Sequence, residues 1–501
     1  MTKQSRTIQS LKNISAGFFS QIILSLFSLF TARIMKYNLG LEYLGINGVL
    51  GNILGVLSLA DLGMASAIGF SLYKPLAEKN TKQIIALLQF YNKAYKIIAG
   101  VILVLSLLLS PFIPNIVNST LPLSYVYIIY ALFVINTLSS YFLSYKQCIL
   151  TSDQKNYIKT YYTTISLLLV RILQFLSIYL FDNYLLYLIS SIITTLALNI
   201  FLAYKVDKMY SFIKSKERIV LDDNTRKSLF KKIKALFFHS IGGKCVNSTD
   251  NMIISPFLGI AIAGKYVSYY SIFSLLNSTI TTIFSNLSAS VGNFIVENDN
   301  KKLYLIYKKM LTIENCIAIF VCSCFFTLIN PFVECWLGND ALLPLNTIFL
   351  ITLNLFIQIK RNSIGVITGA AGLFEFNQYA PLVESAINLI ISIIGVKFLG
   401  LNGVLLGTII SCLLVPFWIT PNYVYRNIFN KSPLLFFINS LVVLLSTIFI
   451  TFLIYKIQKC IDTSLNWYTL VLRFILSIFI SSIYILILYG KKLLSFYPKR
   501  G

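Results

Sequence analysis

The chain has 501 residues, 57% of them hydrophobic and only 12% charged, where a soluble domain carries about 25% charged residues. No soluble core could hide that much apolar sequence, so the composition excludes a soluble protein and indicates an integral membrane one. The 42 Lys and Arg outnumber 18 Asp and Glu for a net charge of +24, which in a membrane protein speaks for cytoplasmic loop charge or a cationic cavity for an anionic substrate, not for nucleic acid.

Fourteen apolar segments follow along the chain: 13–35, 44–72, 85–110, 122–145, 160–181, 184–204, 234–257, 265–291, 311–335, 343–368, 378–398, 402–424, 434–456 and 467–489. A helix needs about 20 residues to cross roughly 30 Å of hydrocarbon. The expected fold class is therefore an all-α polytopic membrane protein with about fourteen transmembrane helices. A β-barrel is not expected, because it needs alternating segments of about ten residues and these runs are continuously apolar. Residues 13–32 are 20 uncharged residues with no small-residue cleavage site after them, so the first segment is expected to stay as a helix, not to be removed as a signal peptide. The run from Ile97 to Tyr145 is free of charge and too long for one span; Pro111, Pro114 and Pro122 mark the turn that divides it.

Residues 31–69 form the first hairpin and carry two charges in apolar sequence, Arg33 and Asp61. Its turn, Leu44-Gly45-Ile46-Asn47-Gly48-Val49, is echoed by Leu399-Gly400-Leu401-Asn402-Gly403-Val404, and more loosely by Leu258-Gly259 with Gly264. The glycines read as packing positions in a scaffold built from repeats.

Orientation follows from the basic residues. With the N-terminus inside, 31 Lys and Arg fall on inner segments, 6 at outer ends and 5 within spans. This is a positive-inside pattern with both termini cytoplasmic, and it absorbs most of the positive excess. The loop 205–233 carries 10 of the inner charges with Lys234 and separates six helices from six. The expected domains are an N-terminal bundle, 1–204; a cytoplasmic linker, 205–233; a C-terminal bundle, 234–431; and two appended helices with a tail, 432–501. Two six-helix halves in the same orientation are parallel repeats.

Ionisable groups inside spans are costly and face a cavity or a partner. Arg33 lies near the outer end of the first helix, where snorkelling is the alternative. Arg171 sits midway along the fifth, where snorkelling is hard. Lys244 shares a helix face with Asn247 and Asn251, with Asp250 nearby. In the eighth helix Ser274, Ser278, Thr281, Ser285 and Ser288 recur at three- and four-residue spacing beside Asn277 and Thr282. They read either as a small-residue packing seam or as a wet wall able to hydrogen-bond sugar hydroxyls. Glu314, Glu384, Lys360 and Arg361 fall near the inner interface, where solvation is the default account. The candidate substrate site is thus Arg33, Arg171, Lys244 and Arg361 with Asn247, Asn251, Ser278, Thr281 and Ser285. Asp61 and Asp250 are the candidates for Na⁺ or H⁺ coupling.

Nothing reads as a catalytic site. His239 is the single histidine, the eight cysteines lie mostly in apolar runs, and Cys322-Ser323-Cys324 lacks metal-ligand spacing. There is no P-loop, no acidic cluster to hold a metal and no long outer loop. The expectation is a transporter, without cofactor or metal, and not an enzyme.

Ala32-Arg33, Gly40, Tyr43, Gly45 and Ala60-Asp61-Leu62-Gly63, together with the stretch from Asn388 to Thr408, resemble the bacterial polysaccharide flippases (Wzx-like) of the multidrug, oligosaccharidyl-lipid and polysaccharide exporter superfamily. The resemblance spans nearly the whole chain in helix count and order. It implies two six-helix bundles of MATE-like form around a central cavity, with two extra helices. It also implies a bacterial plasma-membrane flippase that carries undecaprenyl-diphosphate-linked oligosaccharides to the outer leaflet for capsule, exopolysaccharide or O-antigen. Partners would be membrane lipids, a polysaccharide polymerase and glycosyltransferases. Lipid II flippases of the superfamily carry more charge in the first two helices than Arg33 and Asp61 provide. Drug exporters favour acidic cavities. These two remain the alternatives.

Overall fold

The computed structural model describes the chain apart from residues 1–22, 59–63, 154, 215–218, 220, 223–224, 228, 231–232, 234–248, 288–290, 292–299, 372–378, 461–464 and 495–501. Among the described residues the regular structure is helical, with no strand. In chain order these are α1 (23–39), α2 (Leu41–Leu57), α3 (Met64–Ala77), α4 (Thr81–Leu109), α5 (Ile113–Val117), α6 (Leu123–Tyr141), α7 (Cys148–Ser152), α8 (Asn156–Tyr179), α9 (Tyr184–Met209) and α10 (249–258). There follow α11 (Ile260–Ser285), α12 (Asn300–Leu337), α13 (Leu345–Ile359), α14 (Asn362–Ala370), α15 (Ala380–Leu399), α16 (Leu401–Leu414), α17 (Pro416–Asn427), α18 (Leu434–Lys459) and α19 (Trp467–Leu494).

Among the described residues nine helical segments are long and apolar enough to cross a membrane. The five other expected spans correspond to the hydroxyl-rich α11, to 343–368, and to 13–35, 44–72 and 234–257, which lie partly outside the described residues. One expected continuous span, 343–368, is broken at Lys360 and Arg361 into α13 and α14. Another, 402–424, is interrupted at Val415, ahead of Pro416, which cannot donate to the helix ladder. Large apolar side chains on the outside fit a lipid solvent: Leu441, Leu445 and Phe449 on α18, and Phe479, Leu486 and Ile487 on α19, are all exposed.

The chain forms two compact units, Met1–Gly264 and Lys265–Gly501. In the first, Tyr91, Leu87, Ile149, Leu150, Leu72 and Val206 build a buried core shared by α3, α4, α7 and α9. Lys146 donates to both oxygens of Asp207 at 2.7 and 2.6 Å, which ties the turn after α6 to the C-terminal end of α9. Gly45 of α2 meets the start of α11 at backbone distance: a Cβ there would lie 2.2 Å from the Ile260 carbonyl oxygen, and one on Gly264 would lie 2.3 Å from that of Leu41. The hairpin glycine and its looser echo therefore pack on each other, the small-residue contact that membrane helices use in place of hydrophobic burial.

In the second unit α15 and α16 form a tight hairpin in which Gly395 and Gly403 play the same part, a Cβ on Gly403 falling 2.0 Å from the Gly395 oxygen. Buried hydroxyls and amides link the long helices. Ser323 of α12 bonds Ser481 of α19 at 3.0 Å, and Gln458 of α18 donates to Ser477 of α19 at 2.8 Å.

Candidate functional site

In the first unit the polar centre is built on Arg171 of α8. Arg171 lies eight positions before the end of α8 at Tyr179, about 12 Å of helix, so the half-buried guanidinium lies within the span. It donates to Gln174 Oε1 at 3.1 Å, one turn on, and Gln174 passes the chain to Ser191 of α9 at 2.7 Å. The hydroxyl of Tyr187 on α9 interacts with the guanidinium as well. Asn47 of α2 donates to that same hydroxyl at 3.0 Å. Three helices thus hold one guanidinium through neutral groups, and its positive charge stays uncompensated by these partners. Arg33 of α1 is half-buried, its guanidinium 5.5 Å from the Tyr37 ring centroid. In α10, Asp250, Asn251 and Ser255 are buried. The Asn251 side-chain oxygen has no hydrogen-bond partner among the described residues, and Ser255 donates to the Val117 carbonyl.

The second unit treats its cations differently. Lys360 and Glu314 are both fully buried, at 0% exposure, and their charged atoms lie 3.2 Å apart. Solvation at the inner interface therefore does not account for them. Lys360 follows the last turn of α13, and the neighbouring helices α12 and α18 close over it. Its ammonium also donates to Asn315 at 2.6 Å and to Asn439 at 3.4 Å. The other oxygen of Glu314 accepts the Ser363 backbone N–H at 2.8 Å, at the start of α14. A cation at a helix C-terminus and a carboxylate at a helix N-terminus match the two half-helix dipoles, and this is what sustains the break. Arg361 donates to Gln358 Oε1 at 3.1 Å and faces Glu384 at 3.9 Å, with the carboxylate buried. Arg361, a candidate substrate contact, thus has its charge offset by a carboxylate.

The hydroxyl stripe of α11 is exposed at Ser274, Ser278, Thr281, Thr282 and Ser285, so this face is not a close packing seam. Ser278, Thr282 and Ser285 donate to the backbone oxygens of Leu275, Ser278 and Thr282, which leaves their lone pairs outward as acceptors. Asp61, Lys244, Asn247, His239 and Ser288 lie outside the described residues. Sequence reading missed Tyr187, Gln174, Asn315 and Asn439 as members of these centres. Asn47 stood in the quoted turn motif, where its amide donates to a neighbouring helix; its counterpart Asn402 instead accepts a bond, from Thr347 at 2.7 Å.

Several solved structures share this fold. "Lipid II flippase MurJ, inward closed conformation" superposes with a TM-score of 0.65 at 18% identity, covering 95% of this chain and 98% of that one. An inward-facing multidrug resistance MATE family transporter of the MOP superfamily gives 0.62 at 13% identity, covering 79% and 93%. At these identities the likeness is one of fold. No family model matches the sequence, and no curated protein matches it.

Proposed function

We propose that the protein is a flippase that moves oligosaccharides linked to undecaprenyl diphosphate from the inner to the outer leaflet of a bacterial plasma membrane, by alternating access. The observation that carries this reading is Arg171: a guanidinium inside a membrane span, held among the described residues by neutral groups, Gln174 and Tyr187. A diphosphate cannot enter hydrocarbon bare, and a guanidinium replaces its hydration with bidentate bonds. Arg33, Lys244, Asn247 and Asn251 are further contacts in this reading, and the acceptor face at Ser278, Thr281 and Ser285 suits sugar hydroxyls. Asp61 and Asp250 are assigned to Na⁺ or H⁺ coupling. An inside-negative potential favours outward movement of each negative charge by about 2.3 kcal/mol per 100 mV for a full crossing. The fold shared with a lipid II flippase and a drug transporter supports transport; the uncompensated cation favours an anionic lipid-linked cargo over a cationic drug.

The test is transfer of a fluorescent undecaprenyl-diphosphate oligosaccharide across proteoliposome membranes, in parallel with lipid II and with ethidium. The wild type is expected to move the oligosaccharide fastest and Arg171→Ala to slow it at least tenfold at matched protein. Preference for ethidium or lipid II, or full activity of the Arg171→Ala protein, would overturn the reading.

A further inference from the structure

The Lys360 ammonium has three N–H donors and no acceptor capacity. It meets three side-chain oxygens: Glu314 Oε2 at 3.2 Å, Asn315 Oδ1 at 2.6 Å and Asn439 Oδ1 at 3.4 Å. One is charged and two are neutral, so the oxygens together carry a single negative charge. The Phe436 ring centroid stands 5.9 Å from the same nitrogen. Carboxylate and amide oxygens form the hard-oxygen set that binds alkali and alkaline-earth cations. The set stands where one helix ends and another begins, the break at which half-helix C-termini favour a cation. The second Glu314 oxygen is already committed to the Ser363 N–H, so the carboxylate is fixed in place whatever the cation is.

We propose that Asn315, Asn439 and Glu314 form a monovalent-cation cage in which the Lys360 ammonium, tethered to the chain, takes the place of a mobile ion. An ammonium group is close to K⁺ in size, and a single positive charge matches the cage. Because Lys360 is 0% exposed, its ammonium does not exchange with ions in the medium. The broken helix is held by a cation that the protein supplies itself, and its stability is independent of the salt around it. Removing the side chain beyond Cβ leaves three inward oxygens and space for an ion of that size. This inference stands apart from the nature of the cargo.

The experiment is thermal unfolding of purified protein in detergent, in KCl, NH₄Cl, NaCl or choline chloride at equal ionic strength. Wild type should melt at the same temperature in all four salts. Lys360→Ala should melt about 2–4 °C higher in KCl and NH₄Cl than in choline chloride, by ligand linkage, with NaCl in between. Glu314→Gln combined with Lys360→Ala should lose that dependence, because the cage no longer carries charge. The proposal is overturned by a Lys360→Ala protein that melts identically in the four salts or folds in none of them. A wild type with the same K⁺ response, or a response that survives in the double variant, overturns it equally.

Discussion

Arg361 Nη1 faces Glu384 Oε1 at 3.9 Å, and the carboxylate is buried at 6% exposure while the guanidinium is 32% exposed. The pair makes Arg361 and Arg171 different kinds of cation. Arg361→Ala should leave Glu384 buried without its countercharge and destabilise the protein by about 1–2 kcal/mol, a figure reduced from that of a fully buried pair by the solvent access of the arginine. Arg361→Ala with Glu384→Gln should recover most of that loss. Denaturant melts of the two single variants and the double variant close the cycle, and additive losses would contradict an Arg361–Glu384 interaction.

Arg171 is oriented by Tyr187, whose hydroxyl also takes the Asn47 amide. Tyr187→Phe keeps the ring and removes the hydroxyl that meets both. It should cost about 1 kcal/mol, the net value of a lost hydrogen bond with a buried donor left behind, and slow oligosaccharide transfer severalfold. Measuring melting and transfer together separates these effects: a stable variant with slow transfer supports positioning of Arg171, whereas unchanged transfer removes Tyr187 from the site.

Gly45→Ala and Gly51→Ala should diverge although both lie in α2. A Cβ on Gly45 would come 2.2 Å from the Ile260 backbone oxygen, while nothing lies within 4 Å of one on Gly51. Backbone cannot give way cheaply, so Gly45→Ala should destabilise the first unit by about 2 kcal/mol or more. Gly51→Ala should be neutral or stabilise by about 0.5 kcal/mol through helix propensity. Comparing the two melting temperatures decides it, and equal values would refute the close contact.

The turn after α7 holds a small pH-dependent cluster. Burial pushes the Asp153 carboxyl up, but hydrogen bonds from Lys155 and Tyr210 and the lysine charge outweigh it, so it titrates below its ordinary 3.8. The Asp153 bond raises Lys155 above its ordinary 10.5 against a burial effect, and burial with the Asp153 bond pushes Tyr210 up to about 12. A carboxyl lowered on folding stabilises above its unfolded pKa, and that stability is lost as pH falls through the folded value. A lysine raised on folding stabilises below its unfolded pKa, and loses this as pH rises through the folded value. The pair therefore contributes from about pH 4 to about 10.5, by about 0.5 kcal/mol because both groups are partly solvated. Asp153→Asn should lower stability at neutral pH and flatten the loss below about pH 4; an acid limb as steep as that of wild type would rule out Asp153 as its source.

Much of the fold is legible in the chain because apolar length alone sets a membrane helix. The segments 184–204, 434–456 and 467–489 each lie on one continuous helix, and 85–110 and 160–181 overrun theirs by one and two residues. The glycine echo is real but shifted in register. Leu39-Gly40, Leu258-Gly259 and Leu399-Gly400 each end a helix with the glycine at positive φ, as does Leu337-Gly338, and each glycine N–H bonds back four residues. The left-handed position favours glycine, so the repeat marks helix ends, and the packing glycines are the ones further on.

The sequence by itself determined the solvent, the helical class, the residue types that carry charge inside the membrane and the glycines that let helices touch, because each of these depends on local composition or spacing. Only the tertiary structure decided which charges are offset. Lys360 and Arg361 are adjacent in sequence, yet one ends in an oxygen cage formed by α12 and α18 and the other faces Glu384 of α15. Among the described residues Arg171 meets neutral groups from α8 and α9, with Asn47 of α2 behind Tyr187. The partner of a buried charge comes from a helix distant in the chain, and no local pattern records which helix that is.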